Sequence, residues 1–221
     1  MSPPVTDRLH AAIIDAAAGH ERILVGIAGP PGVGKSTLAA DLAARLDTGG
    51  LSTAVVPMDG FHLDNATLRR CGLLARKGAP QTFDVDGFIA LVERLKSADD
   101  PVSVPLFDRE AEAVRENART VSAACRIVLL EGNYLLLDRP PWTRVPALLD
   151  LSIFITASLE ILEERLVRRW LEHGYNREEA QARATANDLR NARLVLEQSV
   201  PADLTDTVDG KKHESHRDER P

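Results

Sequence analysis

Apolar residues in this chain follow two alternating patterns. Short, nearly continuous runs rich in β-branched side chains stand at residues 23–28 (ILVGIA), 53–56, 102–107, 127–130 and 151–155, and the most continuous of them suit a parallel sheet covered on both faces. Between them lie longer stretches with apolar residues three and four positions apart, which predict helices over 35–46, 85–96, 159–173 and 177–198, the last with room for a break into two. Ahead of the first strand, Leu9, Ile13 and Ala17 share one face of an amphipathic helix for which Thr6 is a candidate cap. The order βαβα predicts an α/β fold with a mostly parallel sheet and helices on both faces.

Composition narrows this picture. With 221 residues, 44% of them hydrophobic, the chain suits one globular domain, placed at 1–204. From Thr205 the sequence turns polar and ends in GKKHESHRDERP, which reads as a loose tail, and PADLTDTVDG leaves open whether a last strand forms. A net charge of -6 offers no broad basic field, which argues against nucleic acid as a partner. The first segment lacks the apolar stretch of a signal peptide, and no run approaches the roughly 18 apolar residues of a membrane span, so a cytoplasmic protein without a membrane partner is expected. Cys71 and Cys125 lack metal-ligand spacing and read as reduced thiols.

In open sheets of this kind ligands bind beyond the carboxyl ends of the strands. After the first strand stands GPPGVGKST, residues 29–37, which matches G-x-x-x-x-G-K-[ST] in full and runs into the helical stretch TLAADLAARL. Gly29, Gly32, Val33, Gly34, Lys35, Ser36 and Thr37 are therefore read as a phosphate-binding loop. Its glycines bring backbone N–H groups onto phosphate oxygens at a helix N-terminus, Lys35 reaches the β and γ phosphates, and Ser36 holds Mg²⁺.

Two carboxylates extend the site. Glu131 ends the apolar run 127–130, where an acid beside a phosphate loop partners Mg²⁺ directly or through water; a solvated charge at a strand end is the other reading. Asp59, in VVPMDGFHLDN, leaves the second strand on the same sheet edge, where a carboxylate can orient an acceptor hydroxyl and take its proton; a turn-forming aspartate is the alternative. No N-K-x-D motif for guanine and no LSGGQ signature is present. A kinase acting on a small molecule is favoured over a switch GTPase or a transporter-type ATPase, with a slow regulatory ATPase as the rival.

On the helix 159–173, Leu159, Leu162, Leu166 and Trp170 form one stripe; Arg165 and Arg168 project away from it and Arg169 lies beside it. Gly174 and the pair Asn176 and Glu179 then predict a helical hairpin. Arginines there can close over a phosphoryl group or simply face solvent.

Taken in order, GPPGVGKST, MDGFH, QTFDVDGF, LFDRE, VLLEGNYLL and RLVRRW resemble the uridine kinase, phosphoribulokinase and pantothenate kinase family over about 22–200. Within it, MDGFHLDN, RKGAPQTFD and NDLRNARL are most similar to bacterial fructose-transport-system kinases, or fructokinase-like proteins. The resemblance implies a three-layer P-loop NTPase fold with a helical lid over about 159–190, ATP and Mg²⁺ as cofactors, and a small-molecule acceptor as partner; a homodimer is compatible with it. It implies Asp59 as catalytic base, Lys35 and Ser36 on phosphate and metal, Glu131 as the Walker B-like acid, and Arg168 and Arg169 as lid cations. By the same resemblance Phe83 and Asp84 of QTFD, with Asp108 and Arg109 of LFDRE, would line the acceptor pocket; His62 is a further candidate there.

The residues themselves leave several of these roles open. Phe83 reads equally as core, Asp84 or Asp86 as a helix cap, and His62 as a loop histidine or a contact to a sugar hydroxyl. Uridine kinases place a serine and an aromatic after the aspartate, whereas this chain has Gly60, Phe61 and His62, so the acceptor cannot be copied from that branch. The cluster Arg69, Arg70, Arg76 and Lys77 implies an anionic acceptor if it faces the pocket and nothing if it faces water.

Overall fold

The computed structural model describes residues 5–97 and 99–208. Along the chain run α1 (Val5–Ala17), β1 (Ile23–Ala28), α2 (Lys35–Thr48), β2 (Thr53–Pro57), α3 (Asn65–Arg70), α4 (Val85–Ser97), β3 (Val102–Asp108), β4 (Ala113–Val121) and β5 (Ile127–Gly132). There follow β6 (Leu151–Thr156), α5 (Leu159–Glu172), α6 (Arg177–Arg183), α7 (Leu189–Gln198) and β7 (Leu204–Thr207). All five apolar runs are strands, and the helices begin and end within two residues of the predicted limits.

Five strands pair in parallel in the order β2-β5-β1-β6-β7. Successive side chains of a strand point to opposite faces, and both faces are covered. Leu24, Val56, Val128 and Leu130 pack with Phe88, Val92 and Leu95 of α4, while Ile23, Val25, Ile127 and Leu129 pack with Leu9 and Ile13 of α1, Leu42 of α2 and Leu162 of α5. Two-sided burial is the reason these strands are apolar without alternation. The result is the three-layer P-loop arrangement, with β1 central and the carboxyl ends of β1, β2 and β5 at one edge.

Four expectations need correction. The run at 102–107 leaves the main sheet: β3 pairs antiparallel with β4 in a separate two-stranded sheet. β4 itself was not foreseen, because AVRENARTV is exposed along most of its length and carries no apolar period. Thr6 does not precede α1 but lies inside its first turn. The last strand does form, so the limit at residue 204 cuts through β7. Asp206 pairs with Arg8 of α1, and Asp203 Oδ2 accepts from the Ser152 N–H and hydroxyl at 2.8 and 2.6 Å. With its charges answered, a polar edge strand needs only one neighbour, β6. The remainder of the predicted tail, residues 209–221, lies outside the described residues.

The helical stretch 177–198 does break in two. α6 and α7 are separated by a single π-helical turn, Ala184–Asp188.

Candidate functional site

β1 delivers the chain to the phosphate loop at the centre of the sheet edge. Gly34 takes φ 101° and has open space where a side chain would stand; that backbone turns its neighbours' N–H groups outward at the start of α2, and any other residue would be strained there. Gly29 meets the backbone of Ile155, and Gly32 lies against Leu166 of α5, so α5 rests on the loop. Ser36 and Thr37 are exposed on the first turn of α2, and Val33 is buried with its carbonyl accepting from Arg165 Nη1 at 3.1 Å.

Lys35 is buried. Its Nζ donates to the Pro30 carbonyl at 3.0 Å and to Asn133 Oδ1 at 2.7 Å. Desolvation brings its pKa down to about 8, against the opposing charges of Glu131 and Asp59, while the Arg169 guanidinium adds to the depression. An ammonium so placed lacks full compensation and gains from an incoming anion. Glu131, also buried, accepts from the Ser36 hydroxyl at 3.0 Å. Burial pushes its carboxyl up, Lys35 works against that, and Asp59 adds to it.

Asp59 arrives by a close approach of backbones. Pro57 of β2 stands opposite Glu131 in the sheet, and the chain then makes one turn, Met58–Phe61. A Cβ on Gly60 would lie 2.5 Å from the Pro105 carbonyl oxygen, so glycine is what lets this turn seat against β3. Asp59 is partly open to solvent. Its Oδ2 faces Arg109 Nη2 at 3.5 Å, and its Oδ1 lies 3.8 Å from His62 Nε2. The His62 ring stacks on Phe83 with centroids 4.2 Å apart and tilts against Phe107 at 4.9 Å. Burial lowers its pKa, with Asp59 opposing and Lys77 and Arg109 assisting.

The sequence-predicted residues therefore separate into two groups. Lys35, Ser36, Glu131, Asp59, His62 and Arg109 come together at one edge. Phe83 belongs to the core beside Tyr134 and Trp142, presenting one face to His62. Asp84 caps α4, accepting from the Gly87 N–H at 3.0 Å. Asp108 closes the β3–β4 turn, accepting from the Glu110 and Ala111 N–H groups and pairing with Arg115. Of the two lid arginines, Arg169 is held by Asp188 at 2.9 Å, whereas Arg168 is exposed beside Glu172. Arg76 and Lys77 of the basic cluster turn inward, and Arg69 and Arg70 stay exposed. Sequence reasoning missed Asn133 and the contact of Arg165 with the loop. Asn133 follows Glu131 by two in the strand-end motif EGN, the one signal that pointed to it.

A buried cation, two carboxylates and a positive-φ loop at a helix N-terminus thus share the carboxyl edge of the sheet, and such a loop is suited to a phosphorylated anion. Residues 24–204 match the profile of the Phosphoribulokinase / Uridine kinase family. The chain belongs to that family. It is 46% identical to a candidate fructose transport system kinase of Silicibacter sp. TM1040, whose crystal structure superposes with a TM-score of 0.87 over 92% of this chain and 99% of that one. It is 34% identical over 207 residues to a candidate uridine kinase of Schizosaccharomyces pombe, covering 90% of this chain and 88% of the relative. A pantothenate kinase of Mycobacteroides abscessus is 33% identical over 150 residues, 67% of this chain and 48% of that one. As a member of the phosphoribulokinase and uridine kinase family, the protein is an ATP-using P-loop kinase: a phosphotransferase whose acceptor is an alcohol group on a small molecule. Among the described residues no helix is long and apolar enough to cross a membrane.

Proposed function

We propose that the protein moves the γ-phosphoryl group of ATP to a hydroxyl of a small polar metabolite, with a fructose-like sugar ahead of a nucleoside or a pantothenate-like acid. The observation that carries this reading is the Asp59 carboxylate, partly solvent-accessible at the carboxyl end of β2, between the phosphate side and the pair Arg109 and His62. A carboxylate there orients an attacking hydroxyl and accepts its proton. The loop 29–34, Lys35 and the first turn of α2 would hold the phosphates. Ser36 and Glu131 would supply hard oxygen donors of the kind Mg²⁺ takes; bound there, the ion would neutralise phosphate charge. Arg169 would add positive charge from the lid, and Arg165 ties the lid to the loop.

The preference for a sugar rests on the rings. Phe83 is covered by His62 and the core, and Phe107 is packed by His62 with Lys77 Nζ 5.1 Å from its centroid. Stacking a nucleobase calls for a free aromatic face, whereas a sugar asks for polar partners such as Asp59, His62 and Arg109. The name given to the Silicibacter relative agrees with this choice.

The test is ADP release with Mg-ATP across fructose and other sugars, sugar phosphates, uridine, cytidine and pantothenate. A sugar that raises the rate by orders of magnitude is the expected result. A rate highest with uridine or cytidine would reject the sugar while keeping the kinase, and a slow rate indifferent to all would count against every acceptor class named.

A further inference from the structure

The turn Ala184–Asp188 between α6 and α7 is π-helical, a form that recurs where a helix must present a functional side chain. On one side of it, Asp188 Oδ2 accepts from Arg169 Nη2 at 2.9 Å and from Trp170 Nε1 at 2.8 Å. Arg169 is the lid cation whose charge reaches Lys35. On the other side, Asn187 Nδ2 donates to the Lys77 carbonyl at 2.7 Å, and Asn191 Nδ2 donates to the Gly78 carbonyl at 3.3 Å. Arg76 answers with bonds to the Ala186 carbonyl at 3.4 Å and to Asn191 Oδ1 at 3.3 Å.

The loop held in this way, 76–78, walls the acceptor side. The Lys77 side chain lies over Phe107, Phe107 packs on His62, and His62 neighbours Asp59. Tyr134 fixes the same loop from below, its hydroxyl donating to the Gly78 carbonyl at 2.6 Å. The segments RKGAPQTFD and NDLRNARL, distant in the chain, are thus two halves of one contact. Within the described residues, Asn187 Oδ1 is left buried without a hydrogen-bond partner. That side chain is placed for its amide donor at the expense of its oxygen.

We propose that this turn is the joint through which the acceptor loop fixes the placement of Arg169: Asp188 is a positioning residue for the guanidinium, and Asn187 and Asn191 lock Asp188 to the loop. The proposal rests on the reading of Arg169 as a lid cation over a nucleotide site. One peptide bond separates Asn187 from Asp188, so the loop and the guanidinium cannot shift independently. Because such coupling is reciprocal, nucleotide at the phosphate side must order the acceptor loop even when no acceptor is present.

The experiment follows from that reciprocity and does not depend on the acceptor's identity. Mg²⁺ with a non-hydrolysable ATP analogue is added to the full chain, and amide hydrogen exchange is followed, which reports local opening. In the wild type, exchange should slow both at 29–37 and at 74–79. Asp188→Ala should keep the first effect and reduce the second by about tenfold, the scale of one charge-assisted hydrogen bond. Asp188→Asn, which retains an acceptor oxygen, should fall between. Asn187→Ala should match Asp188→Ala, and the double variant should do no more than either alone, since both open one joint. Slowing at 29–37 in each variant checks that it is folded, and if Asp188→Ala fails there, Asp188→Asn carries the comparison. Protection of 74–79 that survives both Asp188 variants overturns the proposal, as does its absence in a wild type still protected at 29–37. No protection at 29–37 in the wild type would instead sink the nucleotide-site reading.

Discussion

The Ser36 hydroxyl donates to Glu131 Oε1 across 3.0 Å, joining the first turn of α2 to the end of β5. Burial makes the Glu131 charge unfavourable without a cation, and its carboxyl is accordingly pushed up. A group raised in this way costs stability as pH rises through its folded pKa. Glu131→Gln keeps the shape and removes the charge, so the ligand-free protein should melt no lower than the wild type at pH 7. Turnover with Mg-ATP should fall by about a hundredfold or more. Normal turnover in this variant would exclude Glu131 from the metal site.

Lys35→Ala and Asp59→Ala should both cut transfer by orders of magnitude, for different reasons. Removing Lys35 takes away the buried cation and should weaken nucleotide binding markedly. Removing Asp59 should leave nucleotide affinity near normal and lower kcat by about two to four orders of magnitude, the scale of a lost general base. Calorimetric titration with nucleotide beside steady-state kinetics separates the two. Near-normal turnover in Asp59→Ala would remove it as the base.

His62 gives the protein an acid-side weakness. Burial lowers its folded pKa beneath the unfolded value, so the unfolded chain binds the extra proton first. Stability is then full above the unfolded pKa of about 6.5 and is lost as pH falls below it. His62→Gln should lose less stability than the wild type between about pH 6.5 and 5, whatever its stability at pH 7. Parallel urea denaturation curves for the two proteins would refute this.

The residues that were legible in the sequence are those whose role is set by the chain next to them. A glycine loop between a strand and a helix, and acids at strand ends, announce themselves by local pattern. The misread ones depend on what comes from elsewhere. The charges of β4 offer no period because only one of its edges is paired, and β7 is polar because Arg8 answers its Asp206, with Asp203 just ahead of it bonded to Ser152. Asp84 and Asp108 sit in family motifs, yet their bonds go to nearby backbone N–H groups and, for Asp108, to Arg115. Helix periodicity placed Arg165 and Arg168 together on the outer side of α5, because it measures direction from the core. It carries no information about the phosphate loop that packs against that helix at residues 162–166.

That distinction is testable in α5. Arg165→Gln removes the bond to the Val33 carbonyl and should weaken nucleotide binding by about tenfold, the worth of one charge-assisted hydrogen bond. Arg168→Gln should change affinity and kcat by no more than about twofold, as surface substitutions do. The reverse ranking would mean that Arg168 reaches the nucleotide after a lid movement.

The ion pair of Arg8 with Asp206 lays the first helix beside the last strand. In space the fold is then nearly a ring, and the point at which the ring is cut is a matter of sequence order more than of packing. The exposed turn at Gly49 and Gly50, between α2 and β2, offers another cut. A circular permutant opened there, with α1 and β7 bridged by a linker, keeps β1, the phosphate loop and α2 contiguous. It should fold and bind nucleotide as the parent does, measured by the same titration. Chain order and catalytic architecture would then be separable properties of this fold.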